Sequence, residues 1–120
     1  MNHYTQAVAD EEPDILNLEA DYSFRDRHAV LSFLRDNLFL QDLLAEASQK
    51  IRDYFGSNAK LTLEMFRDPE DPVAAELLVR IRTSLMPSVA RPRLHSLDDE
   101  WWLDASLRSH CKMNIVLERC

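Results

Sequence analysis

A chain of 120 residues with 46% hydrophobic content can bury one core without disulfides or bound metals, so we expect a single folded domain. Its apolar runs are far shorter than the ~20 residues that a membrane helix needs, and its N-terminus lacks the pattern of a secretory signal. Cys111 and Cys120 fit no metal-ligand spacing. We therefore expect a cytoplasmic protein with no membrane partner and no cofactor.

The net charge of −7 is unevenly distributed along the chain. Residues 1–24 contain six acids and no lysine or arginine, whereas the remaining residues contain 15 acids and 14 bases. We predict an acidic tail over residues 1–22, mobile in the free protein, and one α+β domain over residues 23–120. A nearly neutral body without a basic stripe argues against nucleic-acid binding. The tail instead favours a basic protein as partner.

Two helices are predicted after the tail. The first is expected to begin at Ser23, whose hydroxyl can cap the first turn, and to end at Asn37. The second extends from Leu40 to Phe55, where apolar residues recur at the three- and four-residue spacing of an α-helix. Gly56, the only glycine, follows it at a position that favours a left-handed backbone conformation.

Residues 60–83 are predicted to form two β-strands, because aliphatic and polar side chains alternate along both halves of this stretch. The halves are joined by an acidic loop over residues 68–72, which we consider too long for a tight hairpin turn. The same alternation returns in a third strand that begins at Met113. The positions that should face the core are Leu61, Leu63, Met65, Leu77, Val79, Ile81, Met113, Ile115 and Leu117.

The region before the third strand is predicted to be helical but interrupted. Pro87 suits the first turn of a helix, Pro92 should prevent a long one, and Ser96 should begin another. In this last helix the expected core side is made by Leu97, Trp101 and Ala105, with Leu103 and Leu107 widening it to a broad buried arc.

The predicted order of elements is α-α-β-β-α-α-β. A three-stranded, mostly antiparallel sheet with helices packed on one face satisfies every burial pattern above. The helical connection before the third strand allows that strand to lie beside either of the others. The strand order therefore remains open.

Several short runs between residues 33 and 118 carry a family resemblance. They are Phe33-Leu34 with Asn37, Leu43-Leu44 with Glu46-Ala47, Tyr54-Phe55, Asp68-Pro69-Glu70 and Trp101-Trp102-Leu103. In these runs the chain resembles a group of small bacterial, notably cyanobacterial, proteins of unassigned function. The resemblance implies one α+β fold in a cytoplasmic setting and implies no activity.

The sheet face turned away from the helices is the first candidate site. Its residues would be Glu64, Phe66, Leu78, Arg80, Arg82, Asn114, Val116 and Glu118. One interpretation is that opposite charges on neighbouring strands simply form stabilising cross-strand pairs. The alternative is a docking surface for a protein partner, because a mixed apolar and arginine face suits an interface centre. The docking residues would then be Glu64, Phe66, Arg80, Arg82 and Glu118.

The paired tryptophans supply a further docking residue. Trp101 and Trp102 lie about 100° apart on a helix, so one is expected in the core. The other, with Phe39 or Leu103 beside it, would be a partly exposed anchor, and we assign this role to Trp102.

The leading hypothesis is a non-enzymatic interaction module that binds a basic protein through the acidic tail and the charged sheet face. An antitoxin-like or immunity-like role is its sharpest form. The alternative is a small divalent-metal-dependent hydrolase or nuclease in which Glu64, Asp68 and Glu70 hold the metal. A homodimer formed through a sheet edge or the exposed tryptophan is a third hypothesis.

Overall fold

A mixed four-stranded sheet organises the protein in a computed structural model, which describes residues 17–118 apart from the side chains of residues 72 and 73. The strands, in spatial order, are β1 (Ser23–Phe24), β2 (Lys60–Asp68), β3 (Asp71–Arg82) and β4 (Met113–Leu117). The outer pairs, β1 with β2 and β3 with β4, are parallel, and the central pair is antiparallel. The α+β class is confirmed, whereas three mostly antiparallel strands were the wrong prediction.

Helical crossovers join the two parallel strand pairs, as parallel pairing requires. Between β1 and β2 lie α1 (Arg27–Asp36) and α2 (Phe39–Phe55). Between β3 and β4 runs one helical segment, made of α3 (Pro87–Leu97), a π-helical turn (Asp98–Trp102), α4 (Leu103–Ala105) and a 3₁₀ turn (Ser106–Ser109). Within residues 17–118, no helix combines the length and the apolar character that crossing a membrane demands.

The core lies on one face of the sheet, where alternation along the strands predicts it. Leu61, Val79 and Ile115 are at most 5% exposed and join the buried stripe of α2 in a single cluster. That stripe consists of Leu40, Leu43, Leu44, Ala47, Ile51 and Phe55. Each fully buried aliphatic side chain stabilises the fold by roughly 1.5–3 kcal/mol. The strand and helix periods therefore agree on a single core.

The first strand is a feature that local patterns do not reveal. Ser23, predicted to cap the first helix, instead lies in β1 and pairs with Thr62 of β2. The helix begins at Arg27, after Asp26 in a left-handed conformation (φ 52°) without a side-chain cap. A two-residue strand is too short to show alternation, and its pairing to β2 holds it in place. The predicted cap at Ser23 is wrong for this reason.

Residues 17–22 belong to the folded body. They form a helical turn over residues 17–21 and bury Leu18 and Tyr22, each 3% exposed, in the core. The Tyr22 hydroxyl donates a hydrogen bond of 2.6 Å to the Leu44 carbonyl oxygen, and Arg52 Nη1 lies 3.3 Å from Asp21 Oδ1. The predicted tail boundary at residue 22 is therefore wrong, and the rest of that tail, residues 1–16, lies outside the described residues.

The connection between β2 and β3 is tighter than predicted. Asp68 pairs with Asp71, so only residues 69 and 70 form the turn. The backbone N–H of Glu70 donates to Asp68 Oδ1 at 2.9 Å, as acidic residues commonly do in turns. The residues of β3 between Asp71 and Ala75 are accommodated by a register shift between Arg67 and Asp68 of β2. Pro72 lies at this irregularity, so it does not interrupt a continuous ladder. The prediction of a long loop is wrong.

The helical segment is also more continuous than predicted. Pro87 occupies the first turn of α3, as expected, but Pro92 lies inside the helix and Ser96 does not begin a new one. Pro92 removes the hydrogen bond to the carbonyl of Ser88 four residues earlier. Both residues are exposed, so water can satisfy that carbonyl.

The π-helical turn decides which tryptophan is buried. The backbone N–H of Leu103 bonds to the carbonyl of Asp98, five residues earlier, which inserts one extra residue into the helix. Trp102 therefore follows Leu97 on the core side and is 6% exposed, while Trp101 is half-buried. The prediction of Trp102 as an exposed anchor is therefore wrong. It assumed a regular helix, which would have placed Trp101 in the core.

Candidate interaction surfaces

The outer face of the sheet carries an ion-pair network. The side chains of Lys60, Thr62, Glu64, Phe66, Leu78, Arg80, Arg82, Asn114 and Val116 define this outer face, and none belongs to the core cluster. Glu64 Oε2 accepts hydrogen bonds from Arg80 Nε at 2.6 Å and from Arg25 Nη1 at 2.9 Å. Arg25 Nη2 also donates to Glu118 Oε1 at 3.3 Å. The network joins residues of all four strands or their ends.

This network satisfies most of the charges that were predicted to dock a partner. Glu64 and Arg80 have side chains only 26% and 28% exposed, and Glu118 is bonded to Arg25. A partner would have to break these internal pairs to use them. The interpretation as cross-strand stabilisation is therefore better supported at the centre of the outer face. Each such pair contributes at most about 1 kcal/mol.

Arg25 is the member of this network that sequence reasoning missed. It follows β1, whose two residues were assigned to the first helix, and its backbone N–H continues the pairing by donating to the Leu63 carbonyl at 2.9 Å. No periodic signal marks such a short strand. Its position became visible only with the pairing of β1 to β2.

The remaining docking residues are scattered. Phe66 is 47% exposed at the hairpin end of the outer face, whereas Arg82 is exposed at the opposite end of the same strand pair. Leu78, between Glu64 and Asn114 in register, is only 9% exposed. Trp102 is in the core. The outer face thus offers little continuous apolar area to a partner.

The carboxylates proposed for a metal are not brought together. Glu64 is bonded to two arginines, and Asp68 accepts the backbone N–H of Glu70. Glu64 and Asp68 are four strand residues apart, about 13 Å. Among residues 17–118, no three histidine, cysteine or acidic side chains are grouped so that they could hold a metal ion. The structure does not support this alternative site.

A second surface forms where α2 and the helical segment run antiparallel to each other. Three contacts along their length show this arrangement. The Tyr54 hydroxyl donates to Glu100 Oε1 at 2.7 Å, and Trp101 Nε1 donates to Glu46 Oε1 at 2.9 Å. The ring centroids of Phe39 and His110 lie 5.1 Å apart, with the two rings nearly perpendicular. The first residues of α2 therefore lie beside the last turn of the segment. Both ends expose apolar side chains there.

We define the helix-end patch as Leu38, Phe39, Leu103 and Leu107, with the His110 ring packed against Phe39. Leu103 and Leu107 are four residues apart on one side of the helical segment. His110 follows the 3₁₀ turn in a left-handed conformation (φ 52°). Leu107 is 78% exposed and Phe39 is 44% exposed. The predicted burial of Leu103 and Leu107 is wrong, because Leu97, Trp102 and Ala105 form the core side of this segment.

The charges around the helix-end patch are mainly unpaired acids. Asp42, one turn after Phe39, and Asp104, beside Leu103, are both exposed and make no ion pair within the described part of the chain. The nearby Arg108 bonds to Glu46 at 2.9 Å rather than to Asp104. The helix-end patch therefore has an apolar centre and an acidic edge.

Glu46 couples the two helices, and we expect this coupling to weaken in acid. The Trp101 indole N–H and then the Arg108 guanidinium hold the pKa of Glu46 below its usual value. The stabilisation is present above the pKa that Glu46 has when unfolded and is lost as the pH falls through its lower folded pKa. Because the Glu46 side chain is 39% exposed, the loss should be at most about 1 kcal/mol.

Urea unfolding followed by tryptophan fluorescence tests this expectation. Glu46→Gln should remove part of the stability that wild type loses between about pH 5 and pH 3. Glu70→Gln is the matched control, because the Glu70 side chain is exposed and makes no hydrogen bond within the described residues. Equal acid sensitivity in wild type and Glu46→Gln would contradict the expectation.

Comparison with protein-family models, with curated protein sequences and with solved structures finds no match. The resemblance to small bacterial proteins of unassigned function therefore stays a prediction.

Proposed function

We propose that the protein is an interaction module that binds a basic protein partner through the helix-end patch. The observation that carries the proposal is the exposure of four large apolar side chains at adjoining helix ends, Leu107 foremost at 78%. Contiguous exposed apolar side chains mark interaction sites on soluble proteins. Binding without catalysis, in an antitoxin-like or immunity-like role, is the sharpest form of the proposal.

Charge supports a basic partner rather than an acidic one. Asp42 and Asp104 border the apolar side chains without ion-pair partners in the described residues. The whole chain carries a net charge of −7, which would speed its encounter with a basic surface. Lysines or arginines at the edge of the partner could pair with these acids, while an apolar centre covers Leu107 and Phe39. The outer sheet face is the less favoured surface, because its central charges are already paired.

Affinity capture from cells of the source organism tests the proposal with a matched pair of variants. Leu107→Glu should abolish capture of a basic partner that wild type retains. Met86→Glu, at an exposed methionine roughly 30 Å away along the helical segment, should retain it. Both positions are exposed, so neither change should alter the free energy of unfolding by more than about 0.5 kcal/mol.

Two outcomes would overturn the proposal. A partner captured equally by wild type and Leu107→Glu would place binding elsewhere on the molecule. A dimer seen by light scattering and dissociated by Leu107→Glu would make a second copy of this chain the occupant of the patch.

With a purified partner, Asp42→Asn combined with Asp104→Asn should slow association at low salt several-fold, because these acids would steer the encounter.

A further inference from the structure

Two cations face each other at one end of the outer sheet face. Lys60 and Arg82 are directly paired across β2 and β3, so their side chains leave the sheet on the same side. Neither makes an ion pair or a side-chain hydrogen bond within residues 17–118. Like charges directly opposite each other destabilise a strand pair. The protein thus keeps an unfavourable pair although its net charge of −7 shows no general preference for bases.

An open cleft of about 400 Å³ lies at this pair. Among the described residues, its lining consists of Asn58, Lys60, Arg82, Thr83 and Ser84 and includes no carboxylate. Thr83 Oγ1 accepts the backbone N–H of Leu85 at 3.2 Å, which leaves the hydroxyl proton free to donate. Every lining side chain can therefore donate a hydrogen bond.

The nearest acid by register is already engaged. Glu118 follows β4, and its backbone N–H donates to the Ile81 carbonyl, which places it beside Arg82 on the sheet. Its carboxylate, however, lies 3.3 Å from Arg25 Nη2. No acid of residues 17–118 therefore pairs with the two cations of the cleft, which can take a ligand from solution.

We infer that this cleft binds the phosphate group of a small phosphate monoester. The planar guanidinium of Arg82 matches two phosphate oxygens, and the Lys60 ammonium adds a compact charge. The hydroxyls and the Asn58 amide can donate to the remaining oxygens. The cleft volume falls in the range of small-molecule sites, so it leaves room for an organic group beyond the phosphate. Binding would also relieve the repulsion between the two cations.

Titrations of the full-length protein test this inference, with inorganic phosphate, glucose 6-phosphate and adenosine monophosphate as separate probes. Amide shifts in a nitrogen-15 spectrum should move first at Asn58, Thr83 and Ser84, at physiological salt. Tighter binding of a monoester than of inorganic phosphate would show that the organic group is also recognised. Equal binding of all three and of chloride would overturn the inference, because it would indicate unselective ion pairing.

The variants give a signature that a merely structural role would not produce. Lys60→Gln should raise the melting temperature without ligand, because the repulsion is removed, and should weaken phosphate binding about tenfold or more. Arg67→Gln, at the other end of β2, makes the same change of charge outside the cleft and should leave binding unchanged. Phosphate binding that survives Lys60→Gln and Arg82→Gln, or shifts absent from the cleft amides, would also overturn the inference. The outcome is independent of Leu107 and hence of the proposed protein partner.

Discussion

Tyr22→Ala is expected to lower the free energy of unfolding by about 3–5 kcal/mol, the range seen when a large buried aromatic side chain is truncated in a core. Tyr22 is 3% exposed, packs in the main core, and donates a short hydrogen bond to the Leu44 carbonyl. Chemical denaturation followed by circular dichroism would measure the change. No loss of stability would show that this part of the chain is the tail that its acidic composition predicts.

Tyr22→Phe separates the hydroxyl from the ring. It should cost only about 1 kcal/mol, since one hydrogen bond is lost and the packing remains. Burial, followed by the neighbouring Asp21 carboxylate, raises the pKa of Tyr22. Its stabilisation is therefore complete below about pH 10, where an unfolded tyrosine ionises, and declines as the pH rises further. The phenylalanine variant should show a smaller alkaline decline than wild type.

Gly56→Ala should cost about 1–3 kcal/mol, because Gly56 ends α2 with φ 86° and ψ 168°, a backbone region that only glycine occupies readily. An added Cβ would meet no atom within 4 Å, so the cost is one of backbone conformation and not of a steric clash with neighbours. Thermal unfolding measures the change as a drop in melting temperature of roughly 4–8 °C per kcal/mol for a domain of this size.

Gly56→Asn sharpens the test. Asparagine tolerates the left-handed helical conformation that the sequence predicts at this position, but the observed ψ lies outside that region. It should therefore destabilise the protein about as much as alanine does. Ser57→Ala, at an exposed neighbour, is the control and should stay within about 0.5 kcal/mol of wild type. A well-tolerated asparagine would indicate the simpler left-handed cap.

The candidate surfaces could be read from the sequence only in part. The alternation that places Glu64 and Arg80 on one sheet face is local, whereas their ion pair also depends on the register between β2 and β3. Arg25 could not be placed there, because its strand has only two residues. The helix-end patch also escaped, because the spacing of apolar residues predicted a broad buried arc that included Leu103 and Leu107, whereas only Leu97, Trp102 and Ala105 form the core side.

The like-charged pair of Lys60 and Arg82 could likewise be predicted from the sequence only in part. Alternation assigns both residues to the outer face, but only the register between β2 and β3 places them directly opposite each other. That register depends on the shift between Arg67 and Asp68, which the proline-containing sequence did not suggest, because the turn alone would place Lys60 opposite Val79. A shift of one residue would have moved the two side chains to opposite faces.

By itself, the sequence determined the α+β class, the aliphatic face of β2, β3 and β4, the buried stripe of α2 and the special backbone at Gly56. These features are local, because the spacing of the apolar residues within one element determines which of its side chains are buried. Only the tertiary structure decided the fourth strand, the parallel pairing of β3 with β4, the packing of Leu18 and Tyr22, and the burial of Trp102 in place of Trp101. Each of these depends on contacts between segments distant in the chain, or on one inserted helical residue, and neither leaves a periodic trace.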